Sequence, residues 1–517
     1  MMAVKFLTAR EAVDLIKDDD CVAFGGFVAN AHPETLSKAL EARFLDTGSP
    51  RNITIVTSTC QGDGEDGGLN HLAHEGLVKR VIAGHWNLAP KLGALALANK
   101  IEAYNFPQGV IARLFRDIAA HNVGTITHVG LNTFVDPRVE GGKLNEVTRE
   151  DLVELINIAG QERLFYKTFP INAVLLRGTY ADEKGNISLE QEAVTLDSLQ
   201  MAQAARNSGG VVIVQVKQVV KAGSLDPKLI RIPGILVDAV VVGEAEDSWQ
   251  TGAEEYNPAY TGAIRVPVAS LPPLALDERK IIARRAALEL QPDTVVNLGI
   301  GMPEAVAMVA NEEGIGDYMT LTLESGPVGG IPAGGLSFGA ATNPEAILGQ
   351  GEQFDFYDGG GVDLAYLGAA EVDADGNVNV SKLGAKIPGC GGFINITQNA
   401  KKVFYCGSFT AGGLKISCEN GKLVILQEGK NKKFVERVNQ ITFSGQYARK
   451  VNQPVMYITE RCVFELQEDG VHLIEIAPGV DLEKDILANM GFKPIIDGEP
   501  KLMDARIFRE KLMGLGD

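Results

Sequence analysis

Short, nearly continuous apolar runs recur along the chain, each closed by glycine or a turn. Val211 to Val216 (VVIVQV), Ala239 to Val242 (AVVV), Val295 to Leu298 (VVNL) and Val403 to Cys406 (VFYC) are of this kind. Continuous runs, unlike alternating ones, mark strands buried on both faces. Between many of them the apolar positions follow a helical period, as in Ala9 to Lys17, Pro33 to Phe44, Glu278 to Leu290 and Glu304 to Ala310. Strands alternating with helices predict an α/β fold with largely parallel sheets.

The pattern repeats itself. DDCVAFGGFVANAHPETLSKAL (Asp19 to Leu40) runs helix, strand, glycine turn, then Pro-Glu opening a helix, and the same syntax returns from Asp293 as DTVVNLGIGMPEAVAMVA. TYADEKGNISLE (Thr179 to Glu190) and AEVDADGNVNVS (Ala370 to Ser381) share a D-x-x-G-N turn. Each match alone reflects hairpin chemistry, but two in the same order point to a duplicated unit. Val266 to Leu276 (VPVASLPPLAL) holds three prolines, which disfavour regular structure. A boundary there gives two similar open, mostly parallel-sheet domains, 1–274 and 275–517.

A chain of 517 residues with 45% hydrophobic and 22% charged residues fits such a pair of cores. Its 48 basic against 66 acidic residues leave a formal charge of −18, which argues against a nucleic-acid partner. An anionic small ligand remains compatible through loop amides or a few lysines, and the turn Gly429 to Lys433 (GKNKK) reads as solvated or as such a contact. Six scattered cysteines without a C-x-x-C pair suggest free thiols. The N-terminal stretch turns polar early and no apolar run reaches the ~18 residues of a membrane span, so a cytoplasmic location is expected.

Glycine clusters close several strands: Gly25-Gly26, Gly299-Ile300-Gly301, Gly359-Gly360-Gly361 and Gly389-Cys390-Gly391-Gly392. One such loop is a tight turn; four suggest a ligand surface with bare amides. GIGMPE lacks the third glycine of a dinucleotide fingerprint, and Pro303 instead opens a helix whose N-terminus suits an anion. Gly335 to Gly339 matches G-x-S-x-G but lacks the strand that a nucleophile elbow requires. His71 and His74, three apart, read as a surface pair with no third metal ligand nearby, and no metal site is expected. Glu324 is different. It ends the run Tyr318 to Leu323 and faces Ser325-Gly326-Pro327. If the chain is an enzyme, covalent catalysis would fall to this carboxylate, which can attack a thioester when backbone amides hold the oxyanion.

The ordered set GGFVANAHPE, PQG, NLGIGMPE, ESGPVGG, GGGVDLAYLGA and GCGGFINI resembles the family I coenzyme A transferases over nearly the whole chain. The two halves correspond to fused α and β subunits, and within the family the propionate (acetate) branch is the most similar. The resemblance implies that Glu324 forms a γ-glutamyl-CoA thioester in a ping-pong exchange between an acyl-CoA and a short-chain carboxylate such as acetate, propionate, butyrate or lactate. No metal, ATP or other cofactor is implied, since CoA is itself a substrate. It places Gly299, Ile300, Gly301, Met302 and Pro303 at the CoA or oxyanion contact, with Gly391 and Gly392 as a second one. Gly25, Gly26, His32, Gln108 and Gly109 would border the acid pocket. Two departures stand out: Ser325 where the 3-oxoacid branch has asparagine, and Ala29-Asn30-Ala31-His32 where it has a glycine-containing approach to the proline. A dimer or tetramer is expected. An acyl-CoA hydrolase using the same glutamate and a non-enzymatic ligand sensor stay open as alternatives.

Overall fold

The computed structural model describes residues 4–267 and 273–516. Residues 268–272 of the proline-rich boundary segment, and residues 1–3 of the N-terminal stretch, lie outside the described residues. The chain forms two compact units. The first comprises Met1–Val266, Leu323–Asp355 and Ala385–Asn395; the second comprises Pro267–Thr322, Phe356–Gly384 and Ile396–Asp517. The segments that carry Glu324 and Gly391-Gly392 therefore fold with the first unit, whereas a division at 274/275 assigns them by sequence order to the second.

In the first unit eight strands pair in parallel, in the order Lys5–Phe6, Ala239–Val242, Val211–Val220, Ala173–Asp182, Cys21–Phe24, Ile53–Thr59, Val78–His85, Glu102–Asn105. The strands from residue 21 to 105 step outward one way and those from 173 to 242 the other. The direction of winding thus reverses between Cys21–Phe24 and Ala173–Asp182, and open α/β sheets bind ligands in the crevice beyond the strand ends at such a reversal. Helices Glu34–Thr47, Pro90–Leu97, Gln108–Ala119 and Ser198–Asn207 belong to this unit. Its main core gathers Val22, Phe24, Leu36, Leu40, Ile55, Val81, Leu92, Leu175 and Ile213.

The second unit repeats the plan. Met319–Thr322, Thr294–Leu298, Leu364–Leu367, Lys402–Cys406 and Val455–Ile458 pair in parallel in that order, and the antiparallel Cys462–Gln467 and Gly470–Ile476 extend the sheet. Its reversal lies between Thr294–Leu298 and Leu364–Leu367. The duplication extends to single hydrogen bonds. Gly25 N–H donates to the Leu175 carbonyl, the residue paired with Phe24, and Gly299 N–H donates to that of Tyr366, the residue paired with Leu298. Both D-x-x-G-N turns are hairpins of one design. Asp182 Oδ1 accepts from the amides of Lys184 and Asn186, and Asp373 Oδ1 from those of Asp375 and Asn377. Gly185 and Gly376 take φ of 80° and 77° at matching places.

The expected elements appear with modest shifts. The helix expected over Ala9 to Lys17 stops at Val13, and that over Glu278 to Leu290 at Ala287. The other two run longer than expected, Glu34–Thr47 and Glu304–Glu312. The GKNKK turn is exposed at Lys430, Asn431 and Lys432, as a solvated turn should be, but it also carries a short strand. Asn431–Lys432 pairs with Thr410–Ala411, Lys432 donates to the Ala488 and Met490 carbonyls, and burial pushes the Lys433 ammonium down to about 8.

Candidate active site

Glu324 sits in a turn immediately after the Met319–Thr322 strand. Leu323 N–H donates to the Pro327 carbonyl and Gly326 N–H to that of Leu323, both at 3.0 Å, so the chain reverses around the glutamate. Ser325 Oγ donates to the Gly339 carbonyl at 2.6 Å from a fully buried position. Gly326 takes φ 125°, and a Cβ there would stand 2.1 Å from the Leu348 carbonyl oxygen, so only glycine fits. Leu323 anchors the turn in an apolar cluster with Phe27, Val28, Ala31, Val194, Leu196, Phe338 and Ala341. The Glu324 segment is thereby seated on the Gly-Gly loop of the first half. The Glu324 side chain is half-buried. Desolvation lifts its carboxyl above the ordinary value, against a lowering contribution from its own N–H, and no cationic side chain among the described residues offsets this. A carboxylate stripped of part of its hydration is a stronger base and nucleophile than one in water.

The Gly-Gly loop is strained. Phe27 and Asn30 exchange backbone hydrogen bonds at 3.0 and 2.8 Å, closing a two-residue turn in which Val28 takes φ 56°. Ala31 takes φ 55°. A β-branched residue in that region is a genuine outlier, worth about 1–3 kcal/mol of strain. Packing holds it in place. Asn30 Nδ2 donates to the Phe27 and Phe338 carbonyls, and Gln61 Nε2 to the Gly26 carbonyl. Gly26 itself, at φ 135°, has Gln61 Cγ 2.7 Å from where a Cβ would lie. Ala31, in the approach to Pro33, thus adopts a backbone conformation that glycine favours.

A second group forms around Gln108 and Gly391. Gly391 N–H donates to the Gly84 carbonyl, Gln108 N–H to that of Gly391, Trp86 N–H to that of Pro388, and Cys390 N–H to Asn105 Oδ1. Gly109 N–H donates to Asn395 Oδ1, and a Cβ on Gly109 would meet the Phe354 ring at 2.5 Å. These bonds are why the GCGG loop folds with the first unit. Because the Gly391 amide is engaged, the free amide expected of it as an oxyanion donor is not there; Gly392, the next residue, makes no such bond among the described residues. Gln108 is buried, and its Nε2 has no hydrogen-bond partner among the described residues. His85 Nδ1 is likewise unpartnered, and burial pushes that imidazole down to about 4, keeping it neutral.

The five residues expected at the acid pocket have these surroundings. Gln108 and Gly109 stand with Gly391, and His32 lines a cavity of about 280 Å³ with Arg177 and Lys38. Gly25 and Gly26 support the loop between strand and turn. Gly299, Ile300, Gly301, Met302 and Pro303 belong to the second unit. There Ile300 is 60% exposed, Gly301 takes φ 88° with no atom within 4 Å of where a Cβ would stand, and Pro303 caps helix Glu304–Glu312. His71 and His74 are not a surface pair. His71 bonds Glu34 through Nε2 and Glu41 through Nδ1, and His74 bonds Glu41. Ser337 of G-x-S-x-G bonds Thr251 and Glu254, which provide no imidazole base. Sequence pattern does not single out Asn30, His85, Asn105 or Arg177. The strand-end position of His85 and Asn105 is the one signal that points to them.

The fold and site define an α/β enzyme with a turn-borne, partly desolvated carboxylate whose segment packs on the Gly-Gly loop at a strand end. A model of the coenzyme A transferase family matches residues 6–243. Caffeate CoA-transferase of Acetobacterium woodii is 48% identical over 99% of this chain and 98% of that protein. Acetate CoA-transferase YdiF of Escherichia coli O157:H7 is 48% identical over 99% and 96%. The crystal structure of the E. coli O157:H7 acyl-CoA transferase YdiF in a thioester complex with CoA superposes with a TM-score of 0.93, at 46% identity, covering 99% of this chain and 98% of that one. The chain belongs to the coenzyme A transferase family and is an enzyme that moves CoA between an acyl-CoA and a carboxylate. The ligand-sensor alternative is thereby set aside.

Proposed function

We propose that the enzyme exchanges CoA among short-chain acids, acetate and propionate foremost, through a glutamyl thioester on Glu324. The observation that carries this reading is the seating of Glu324: half-buried, without a counter-ion among the described residues, in a turn fixed by Ser325, Gly326 and Leu323. The carboxylate attacks the acyl-CoA carbonyl, giving an acyl-glutamyl anhydride and CoA thiolate. The thiolate attacks the glutamyl carbonyl, forming the γ-glutamyl-CoA thioester and releasing the donor acid. An incoming carboxylate attacks that thioester to give a new anhydride and thiolate. The thiolate then takes the new acyl group, and Glu324 is regenerated. One thioester is made for each one broken, so the exchange needs no ATP, metal or other cofactor.

Each tetrahedral intermediate places negative charge on oxygen, which preorganised amides stabilise better than water does. In this reading the Gly392 amide is an oxyanion donor, and the Gly299 to Pro303 loop meets CoA. Gln108, buried with a spare Nε2, receives the acid carboxylate, and neutral His85 stands beside it. The high similarity to an acetate-using relative supports the short-acid preference. The similarity to a caffeate-using relative makes a larger acid the alternative to test. Six free thiols agree with a cytoplasmic enzyme, and no helix among the described residues is long and apolar enough to cross a membrane. A homo-oligomer, dimer or tetramer, completes the reading. Replacing Glu324 by Ala should lower acyl exchange roughly a thousandfold or more while leaving the fold intact. Exchange at an undiminished rate would refute the mechanism.

A further inference from the structure

We propose that the Arg177 cavity of the first unit is a second carboxylate site, which holds a small monocarboxylate non-covalently. It occupies about 280 Å³, near the lower end of small-ligand pockets, and Ala29, His32, Lys38, Arg177, Trp249 and Gly252 line it. Its position follows from the sheet. Phe24 pairs with Leu175, so Arg177 lies two residues beyond the end of the Cys21–Phe24 strand, at the reversal of winding. Glu324 is not on its wall.

The wall presents unused donors. Arg177 is 5% exposed; its Nε and Nη2 bond Glu192, and Nη2 also reaches the Ser248 and Trp249 carbonyls, leaving Nη1 without an acceptor among the described residues. A guanidinium neutralised by one carboxylate yet holding a spare N–H pair is suited to one more oxygen ligand. His32 is also 5% exposed. It stacks on Phe24, bonds Ser37 through Nε2 and has Gln61 beside its ring, so it forms wall and the donors are those of Arg177 and Lys38. The Lys38 side chain, 46% exposed, bonds Asp247 and has further N–H groups to offer.

The acidic residues on the wall set the ligand's charge. Glu34 is occupied by His71 and the Gly68 amide, Asp247 by Lys38 and Thr35, and Asp63 by the amides of Glu65 and Gly67. Glu246 stands exposed at the rim. Four carboxylates on the wall stand against Lys38 and Arg177, so the anion is held by direct N–H contacts to those two side chains against a net negative field, which repels a phosphate dianion twice as strongly as a monoanion. This favours a carboxylate over a phosphate.

The proposal rests on the transferase reading only in the choice of acid. The test is a crystal of the full chain carrying Glu324→Ala, soaked with 3-iodopropionate, with iodine located by anomalous scattering. A peak beside Arg177 is expected. Equilibrium dialysis of propionate into the same variant should lose one site per chain on adding Lys38→Met, and again with the charge-neutral pair Arg177→Gln/Glu192→Gln. Iodine found only beside Gln108 or nowhere, stoichiometry unchanged by both substitutions, or equal displacement by inorganic phosphate would each overturn it. An occupied cavity in a chain whose exchange survives Glu324→Ala would defeat the transferase mechanism alone. An empty cavity in one that loses exchange would defeat this proposal alone.

Discussion

Two loops at matching places in the two sheets have opposite characters. Gly25 to Pro33 and Gly299 to Pro303 each leave a strand at the reversal point of a sheet, make the same first hydrogen bond to the neighbouring strand, and end in a proline that caps a helix. The first is buried almost throughout, strained at Val28 and Ala31, and braced by Gln61 and Asn30. The second is open at Gly299 to Met302, with Ile300 exposed and bare space around Gly301. One loop has become a foundation, on which Leu323 and so Glu324 rest; the other presents its backbone. The matching sheet plan sets where both loops stand, and packing decides what each does.

The comparison can be broken at its glycines. Gly26→Ala forces a Cβ against Gln61 at a φ that L-residues avoid, and should cost about 3 kcal/mol or more. Gly301→Ala meets nothing and incurs only the dihedral penalty, about 1–2 kcal/mol, while raising KM for the acyl-CoA. Thermal unfolding of the two variants checks this, and equal losses would mean the loops do not differ as described. Next in size is Ser325→Ala. It leaves the buried Gly339 carbonyl without its donor and should destabilise by about 1–3 kcal/mol, with kcat falling more than KM changes.

The smallest effect is on pH dependence and arises at Glu34, the first residue of the helix that the first loop opens. His71 is raised above its ordinary value, first by its hydrogen bond to Glu34 and further by Glu41, against the effect of burial. Burial acts to raise Glu34, but the bond and charge of His71, the charge of His32 and the Gly68 amide outweigh it and hold the carboxyl at about 2. The two shifts describe one contact and count once. Its stabilisation is complete below the ordinary histidine value of 6.5 and is lost as pH rises through the raised value. On the acid side it is complete above 4.5 and is lost as pH falls toward about 2. Denaturant titrations across pH should show both slopes, and His71→Gln should flatten them.

The α/β class, the duplication and most elements are legible because buried parallel strands write themselves as continuous apolar runs. The D-x-x-G-N turns are legible because an aspartate collecting two amides leaves the same letters each time. Glu324 can be singled out from its strand-end position and its glycines. What pattern does not show is long-range pairing. Asn105 holding the Cys390 amide, Asn30 holding the Phe338 carbonyl, and Arg177 facing His32 join residues 285, 308 and 145 positions apart. Such pairings leave no local period. Pattern alone therefore puts the GCGG loop with the second half.

The central claim is covalent, and mass spectrometry tests it most directly. The protein is mixed with propionyl-CoA, reduced with borohydride, which converts a glutamyl thioester to the alcohol in place, and then digested. A mass change confined to the peptide that contains Glu324 is the predicted result; an unmodified Glu324 peptide, or a change on any other, would contradict it.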